Sequence, residues 1–300
     1  MKVLVIGANG QLGKDVSNEL RSKNIETVTS DIIGKCDFSL DFTNEKETVD
    51  LVNEIRPDAI INCAAWTAVD AAEDGENKEK VYALNVTGVK NLVTASKKVN
   101  AKLMHISTDY VFDGQGDIPW KPDDKNYNPL CYYGETKLLG EQEVAKYDKY
   151  FIVRIAWLFG GPISFVNTML KVGKTHNEVR VVNDQIGTPT YSKDLARLLV
   201  DMIQTDRYGY YHATNEGGYI SWYDFCKEIY LQANYPTKVI PVSTKEYGLS
   251  KAVRPFNSRL DKSKLSDNGF IRLPDWKDAL SRYLQDYKDQ WWHIIIGLKN

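Results

Sequence analysis

Val3-Leu4-Val5-Ile6 is an unbroken apolar run that stops at Gly7, and Gly10 and Gly13 follow before an amphipathic segment from Asp15 to Leu20. A short apolar run without polar alternation suits a strand covered on both faces, the environment of a parallel sheet. Glycines at 7, 10 and 13 lack Cβ atoms, so the strand can turn at once into a helix. The same bare backbone lets a pyrophosphate approach the amides at the helix N-terminus. A chain that begins this way is held to an α/β fold with a nucleotide site at the carboxyl edge of its first strand.

The pattern that follows keeps to this. Ile25 to Ser30 reads as a second strand ending at Asp31, where a carboxylate can accept hydrogen bonds from an adenosine ribose diol and would repel a 2′-phosphate. That leans towards NADH over NADPH, with Lys35 near enough to offset the charge. Asp41 and Phe42 fall on the next segment, where they would flank the adenine. Thr43 to Glu54 reads as a helix with Asn44 as a cap. Asp58 to Cys63 reads as a strand whose exit loop is Ala64-Ala65-Trp66-Thr67-Ala68-Val69-Asp70. In open parallel sheets ligands sit beyond the carboxyl ends of the strands, so this loop is expected to face the cofactor, and its small alanines allow close approach. Glu73 to Lys98 reads as one long helical stretch with Tyr82, Leu84, Val86, Val89, Leu92 and Val93 as its apolar positions and Asn85 as a packing amide.

Lys102 to Ser107 forms the next expected strand, with Thr108-Asp109-Tyr110-Val111-Phe112-Asp113-Gly114 as its exit and His105 as a core residue. After a polar loop through Asn128, Asn128-Pro129 reads as the entry of a helix that carries Tyr133 and Lys137. Residues four apart share a helical face, so the ammonium is expected to lower the phenol pKa and fit it for passing a proton to a substrate oxygen. A Thr108 hydroxyl at the strand end can hydrogen-bond the same oxygen, and two donors polarise a carbonyl for hydride attack. Phe151 to Gly161 closes the regular alternation, which reads as a doubly wound parallel sheet. The texture beyond it is irregular and suits a second, smaller α/β domain over the mouth of the sheet. The division is 1–160 for the dinucleotide-binding domain, with later segments returning to it, and 161–300 mainly for the substrate domain. Arg254 and Arg259 lie on an expected loop, where a guanidinium fork can meet a diphosphate or remain a solvated charge.

A formal net charge of −2 offers no field for nucleic acid or an anionic membrane. The four cysteines are scattered and form no C-x-x-C, so they read as reduced thiols of a cytoplasmic protein. The most apolar run, Trp291 to Leu298, is far too short for a membrane span.

The glycine turn, Ser107 to Gly114, Tyr133-Gly134-Glu135-Thr136-Lys137 and Asn183-Asp184-Gln185-Ile186-Gly187-Thr188-Pro189-Thr190 occur in one order. Together they make the chain resemble the extended short-chain dehydrogenase/reductases, and within them the dTDP-4-dehydrorhamnose reductase family. The resemblance runs essentially the whole length, through Arg254-Pro255 and Trp276 to Leu280. It implies a Rossmann domain holding NADH or NADPH, a C-terminal domain holding a dTDP-sugar, and reduction of the 4-keto group of dTDP-4-dehydro-L-rhamnose. By motif it implies Thr108, Tyr133 and Lys137 as the catalytic set, with Tyr133 the proton donor. Gly7, Gly10, Gln11, Leu12, Gly13, Asp31, Asp41, Phe42, Ala64, Ala65, Trp66 and Thr67 fall at cofactor positions, joined by Tyr133 and Lys137. Thr108, Asp109 and Trp157 fall at sugar-nucleotide positions, to which Arg254 is added.

Some members of that family are dimers joined through a metal held by acidic residues, one of them shortly after the Pro-Thr of the Asn183 block. Lys193 stands in that neighbourhood and repels a divalent cation, so no metal is expected and the chain is read as a monomer or homodimer. Two alternatives stand beside the reductase. One is a sugar-nucleotide dehydratase or epimerase, which would need a carboxylate where Tyr110 follows Thr108-Asp109. The other is a non-catalytic regulatory subunit of the same fold.

Overall fold

The structure, a computed structural model, describes residues 1–297, with side chains described through Tyr287; the side chains of the apolar run at 291–298 lie outside the described residues. Six strands come from the first half of the chain: β1 (Lys2–Ile6), β2 (Glu26–Asp31), β3 (Phe38–Ser39), β4 (Ala59–Asn62), β5 (Lys102–Thr108) and β6 (Tyr150–Ile155). A seventh, Gly209–His212, returns from beyond residue 160 and pairs in parallel with β6. The order across the sheet is Gly209–His212, β6, β5, β4, β1, β2, β3, with all pairs parallel.

Strand periodicity decides which layer each apolar side chain serves. Val3 and Val5 point into one core with Ile61, Met104, Phe151 and Val153, under helices α1 (Gln11–Ser22) and 192–203. Leu4 and Ile6 point into the other with Ile60, Leu103 and Ile152, under helices α2 (Glu45–Ile55) and α4 (Gly88–Val99). Asn44 caps α2, accepting from the Glu47 amide at 3.2 Å. This is the doubly wound Rossmann arrangement, and residues 192–213 belong to it although they lie past 160 in the chain. A smaller layer gathers Phe159, Val166, Leu170, Phe225, Ile229, Trp276 and Leu280 around the parallel strand pair Glu178–Val182 and Lys238–Val242.

Three expected boundaries move. The stretch from Glu73 breaks into two single 3-10 turns, α3 (Lys78–Tyr82), a π turn at Ala83–Thr87 and then α4. The π turn inserts an extra residue per turn and rotates the apolar face, leaving Tyr82 44% exposed and burying Asn85 at 1%. The helix carrying Tyr133, α5 (Tyr132–Val144), starts later than Asn128-Pro129 because its first amide is satisfied from elsewhere: Glu73 Oε1 accepts from the Tyr132 amide at 2.7 Å. The last helix, Trp276–Gly297, runs ten residues past the Tyr287 end expected from its pattern.

Arg154 on β6 is fully buried, and its guanidinium forks onto Glu141 of α5 at 2.8 and 2.7 Å. The cation also lies over the Phe112 and Tyr210 rings and donates to the Pro122 carbonyl, so it pins the 112–127 loop to the sheet. Glu141→Gln removes the counter-charge and should cost about 3–5 kcal/mol in a urea melt, the usual cost of stranding a buried ion. The double variant Glu141→Leu/Arg154→Met should recover most of that loss.

Candidate active site

The glycine turn is held by its own geometry. Gly7 adopts φ +75°, and a Cβ on it would stand 2.7 Å from the Ala64 backbone nitrogen. A Cβ on Gly13 would fall 2.1 Å from the Gly7 carbonyl oxygen, so only glycine lets α1 begin this close to β1. Gly10 donates to the Gly7 carbonyl at 3.1 Å. Asp31 ends β2 beside this turn, where its carboxylate accepts from the Asn9 amide at 2.9 Å and the Ile32 amide at 2.8 Å. The turn fits a dinucleotide on two observations: a cradle that Cβ atoms would fill, and the buried Gln11 Nε2, which has no hydrogen-bond partner. Leu12 is packed in the core, so what it can offer a ligand is its backbone.

The Phe42 ring is 4% exposed and lies where a Cβ on Gly88 would come within 2.4 Å, so it fills the core beneath α4 and what it can offer a ligand is its backbone. Asp41 accepts from the Thr43 amide and hydroxyl at 3.0 and 2.7 Å and shapes the turn there. The loop after β4 brings Ala64, Ala65, Trp66 and Thr67 to the carboxyl edge of the sheet, with the Ala64 amide donating to Asn62 Oδ1 at 3.0 Å.

Thr108 is the last residue of β5 and Tyr133 lies in the first turn of α5. Both side chains are buried, and the Thr108 hydroxyl lies near enough to the Tyr133 phenol to act on it. Thr108 also donates to Asp109 Oδ1 at 3.1 Å, and its oxygen caps the turn that follows by accepting from the Tyr110 amide at 3.3 Å. Lys137, 2% exposed, donates to the Ile106 carbonyl at 2.6 Å and sits 3.3 Å from His105 Nε2.

The expected acidic phenol is not what this arrangement makes. Burial pushes the Tyr133 pKa above its ordinary value, the Thr108 hydroxyl opposes that, and the Asp109 charge adds to it. Lys137 spends its ammonium on the strand backbone, and desolvation lowers its own pKa to about 8 despite Glu141. His105 is driven well below its ordinary value, first by burial and then by the Lys137 charge. Asp109, 1% exposed, is raised to about 6 by burial, with the hydroxyls of Ser258 and Thr108 opposing the rise. The desolvation cost of each charged form exceeds what its neighbours return.

Arg254 is held by its own neighbours. Its three guanidinium nitrogens donate to Ser250 Oγ at 3.2 Å, Tyr110 Oη at 3.3 Å and Asp70 Oδ2 at 2.7 Å. Asp70 further accepts from the amides of Lys251 and Ala252 at 3.1 and 3.0 Å. The fork therefore joins the 250–254 loop to the loop after β4, with three of its five N–H donors engaged. Tyr110, whose hydroxyl it holds, packs edge-on to Tyr133 at 5.5 Å.

Trp157 follows β6 at φ +51°, stacked on Trp222. Two side chains pass unselected by pattern alone. Ser258, near Arg254 in sequence, is buried, and its hydroxyl is one of the groups that favour the ionised Asp109 carboxyl. Asn85 bridges the cofactor loop and α5, accepting from the Trp66 amide at 2.9 Å and donating to Thr136 Oγ1 at 3.1 Å. Its signal was an amide inside an apolar helical run, which by itself points equally to packing.

The depressed Lys137 pKa has a direct readout. In lysine-labelled protein without ligand, one ε-CH2 resonance, absent in Lys137→Met, should titrate with a midpoint near 8, ammonium below and amine above. A midpoint at the ordinary lysine value of about 10.4 would show the site to be open to water.

Against known proteins, residues 1–289 match the family model described as the RmlD substrate binding domain. The chain is 36% identical to the dTDP-4-dehydrorhamnose reductase of Escherichia coli strain K12 over 95% of its own length and 98% of the relative's. It is 37% identical to the spore coat polysaccharide biosynthesis protein SpsK of Bacillus subtilis, over 95% and 97%. Among solved structures, a dTDP-4-dehydrorhamnose reductase of Clostridium acetobutylicum is 42% identical and superposes with a TM-score of 0.90, covering 96% of this chain and 100% of that one. The reductase of Bacillus anthracis, solved with NADP, is 42% identical with a TM-score of 0.88, covering 95% and 100%. With a Rossmann sheet, a glycine cradle and a buried Thr108–Tyr133 pair in a chain matched over nearly its whole length, the protein belongs to the RmlD family of dTDP-4-dehydrorhamnose reductases.

Proposed function

We propose that the chain reduces the 4-keto group of dTDP-4-dehydro-L-rhamnose to give dTDP-L-rhamnose, using NADH or NADPH. The observation that carries this reading is the burial of Thr108, at the carboxyl end of β5, beside Tyr133 in the first turn of α5. When bound, the nicotinamide supplies the hydride. The glycine turn, Gln11 and the Ala64 to Thr67 loop hold the dinucleotide, and Asp31 meets its adenosine ribose.

Tyr133 gives its proton to the sugar O4 as charge develops there, and Thr108 donates a hydrogen bond to the same oxygen. A phenol kept protonated by burial arrives loaded for this step, so the raised pKa serves a donor where a lowered one would serve a base. Lys137, one turn along the helix, supplies buried positive charge that favours the phenolate left behind. Asp109 and Trp157 bind the sugar nucleotide.

A dehydratase or epimerase reading has less support. The position after Thr108-Asp109 is Tyr110, whose hydroxyl is engaged by Arg254, so no carboxylate stands there to take a proton from a neighbouring carbon. Substrate and reduced cofactor should be consumed one for one. A steady NAD(P)H level during turnover would instead mean a recycled cofactor.

Tyr133→Phe should lower kcat by roughly 10²-fold or more while cofactor affinity stays near wild type, as loss of a general acid requires. Wild-type turnover in that variant removes the phenol from the mechanism. In the wild type, kcat/KM should decline as pH rises through about 8, where free Lys137 loses its proton.

A further inference from the structure

Trp157 carries φ +51°, a left-handed conformation that costs a bulky residue energy and persists only where the surroundings enforce it. Its indole lies 3.8 Å from that of Trp222, centroid to centroid, at 19° between planes. Trp222 opens the helix Trp222–Ala233, whose start is fixed by a capping box between Ser221 and Asp224, and its outer side rests on Phe165 at 4.6 Å. On another side the Trp157 ring meets Gly187, where a Cβ would stand 3.0 Å from both the indole and Ser258. Thr108 at the end of β5 pairs with Ile155 of β6, so Trp157, two residues past Ile155, leaves the sheet beside Thr108. An indole in a strained backbone position is thus gripped from behind, at the strand end that adjoins the hydroxyl beside Tyr133.

We propose that Trp222 is a positioning residue for the sugar half of the substrate: it holds Trp157 as a fixed aromatic wall beside the reacting carbon, with Gly187 kept small to admit that ring. The inference rests on the reductase reading. It assigns the wall to the deoxysugar and not to the base, because Trp157 leaves β6 next to the end of β5 that carries Thr108. A flat indole offers apolar surface to a ring face and a methyl group, which suits a 6-deoxysugar.

The test compares Trp222→Leu with Trp222→Phe, which keeps a ring at the same place. Stacked indoles give an exciton couplet in far-ultraviolet circular dichroism, so the wild-type minus Trp222→Leu difference spectrum should contain one. KM for the keto sugar nucleotide should rise about tenfold in Trp222→Leu, the upper end of what one aromatic pair contributes, with recovery to within about threefold in Trp222→Phe. NADPH affinity, which also reports that the variant is folded, and the affinity for dTDP alone should stay within about twofold of wild type. An unchanged KM in Trp222→Leu overturns the inference, as does a difference spectrum without a couplet. Equal weakening of dTDP and of the sugar nucleotide also overturns it, since the pair would then serve the base. Wild-type protein that never reduces the keto sugar sinks the reductase reading itself, a result separable from all of these because the couplet and dTDP affinity need no turnover.

Discussion

The bond from the Lys137 ammonium to the Ile106 carbonyl, 2.6 Å long and out of reach of bulk water, fixes α5 against β5. Ile106 lies two residues before Thr108 and Lys137 one turn after Tyr133, so this contact sets the phenol opposite the hydroxyl. The next turn of the helix repeats the device on the neighbouring strand, where Glu141 grips Arg154 of β6. Between them Thr136 reaches Asn85, and Asn85 reaches the loop that faces the cofactor. A helix pinned at successive turns to two strands and a loop has little freedom to slide, and a proton donor that must meet a carbonyl within a hydrogen bond's length needs that rigidity.

Electrostatics inside the site are governed by dryness more than by pairing. Tyr133, Lys137, His105 and Asp109 all have pKa values displaced towards the neutral form, and burial is the largest cause for each. Sequence spacing alone suggests the opposite for Tyr133, because an ammonium four residues away is easy to see and the loss of water is not. The outcome agrees with the direction of the chemistry. Reduction of a ketone takes up a proton, so a group that holds its proton until negative charge appears on the substrate oxygen is better matched than one already ionised.

What could be read beforehand was whatever the chain encodes locally. The apolar run before Gly7 and the glycine spacing sufficed for β1, the turn and α1, and alternation sufficed for the doubly wound sheet. Features set by distant partners were not legible. The start of α5 depends on Glu73, 59 residues upstream, and a search for a local cap settles on Asn128-Pro129 instead. The phase of the 83–87 segment is changed by a π turn that no residue type announces, which is why Tyr82 reads as buried and is not. The directions of Phe42 and Arg254 are set from a distance too: Gly88 leaves room for the ring to turn inward, and Asp70 accepts from the guanidinium. Motif position identifies a neighbourhood, and only packing decides which way a side chain turns.

The seventh strand has a consequence for biogenesis. Until residues 209–212 leave the ribosome, β6 is an open edge, paired with β5 on one side and with its outward main-chain donors and acceptors unmatched by a strand on the other. Tyr210 on that strand also covers the Arg154 guanidinium, so the buried cation lacks one of its walls for the same interval. The nucleotide-binding half therefore cannot finish folding when its own first 160 residues have been made. The nascent chain must carry an unsealed sheet through synthesis of about fifty further residues, which gives holdase chaperones a defined window in which to act.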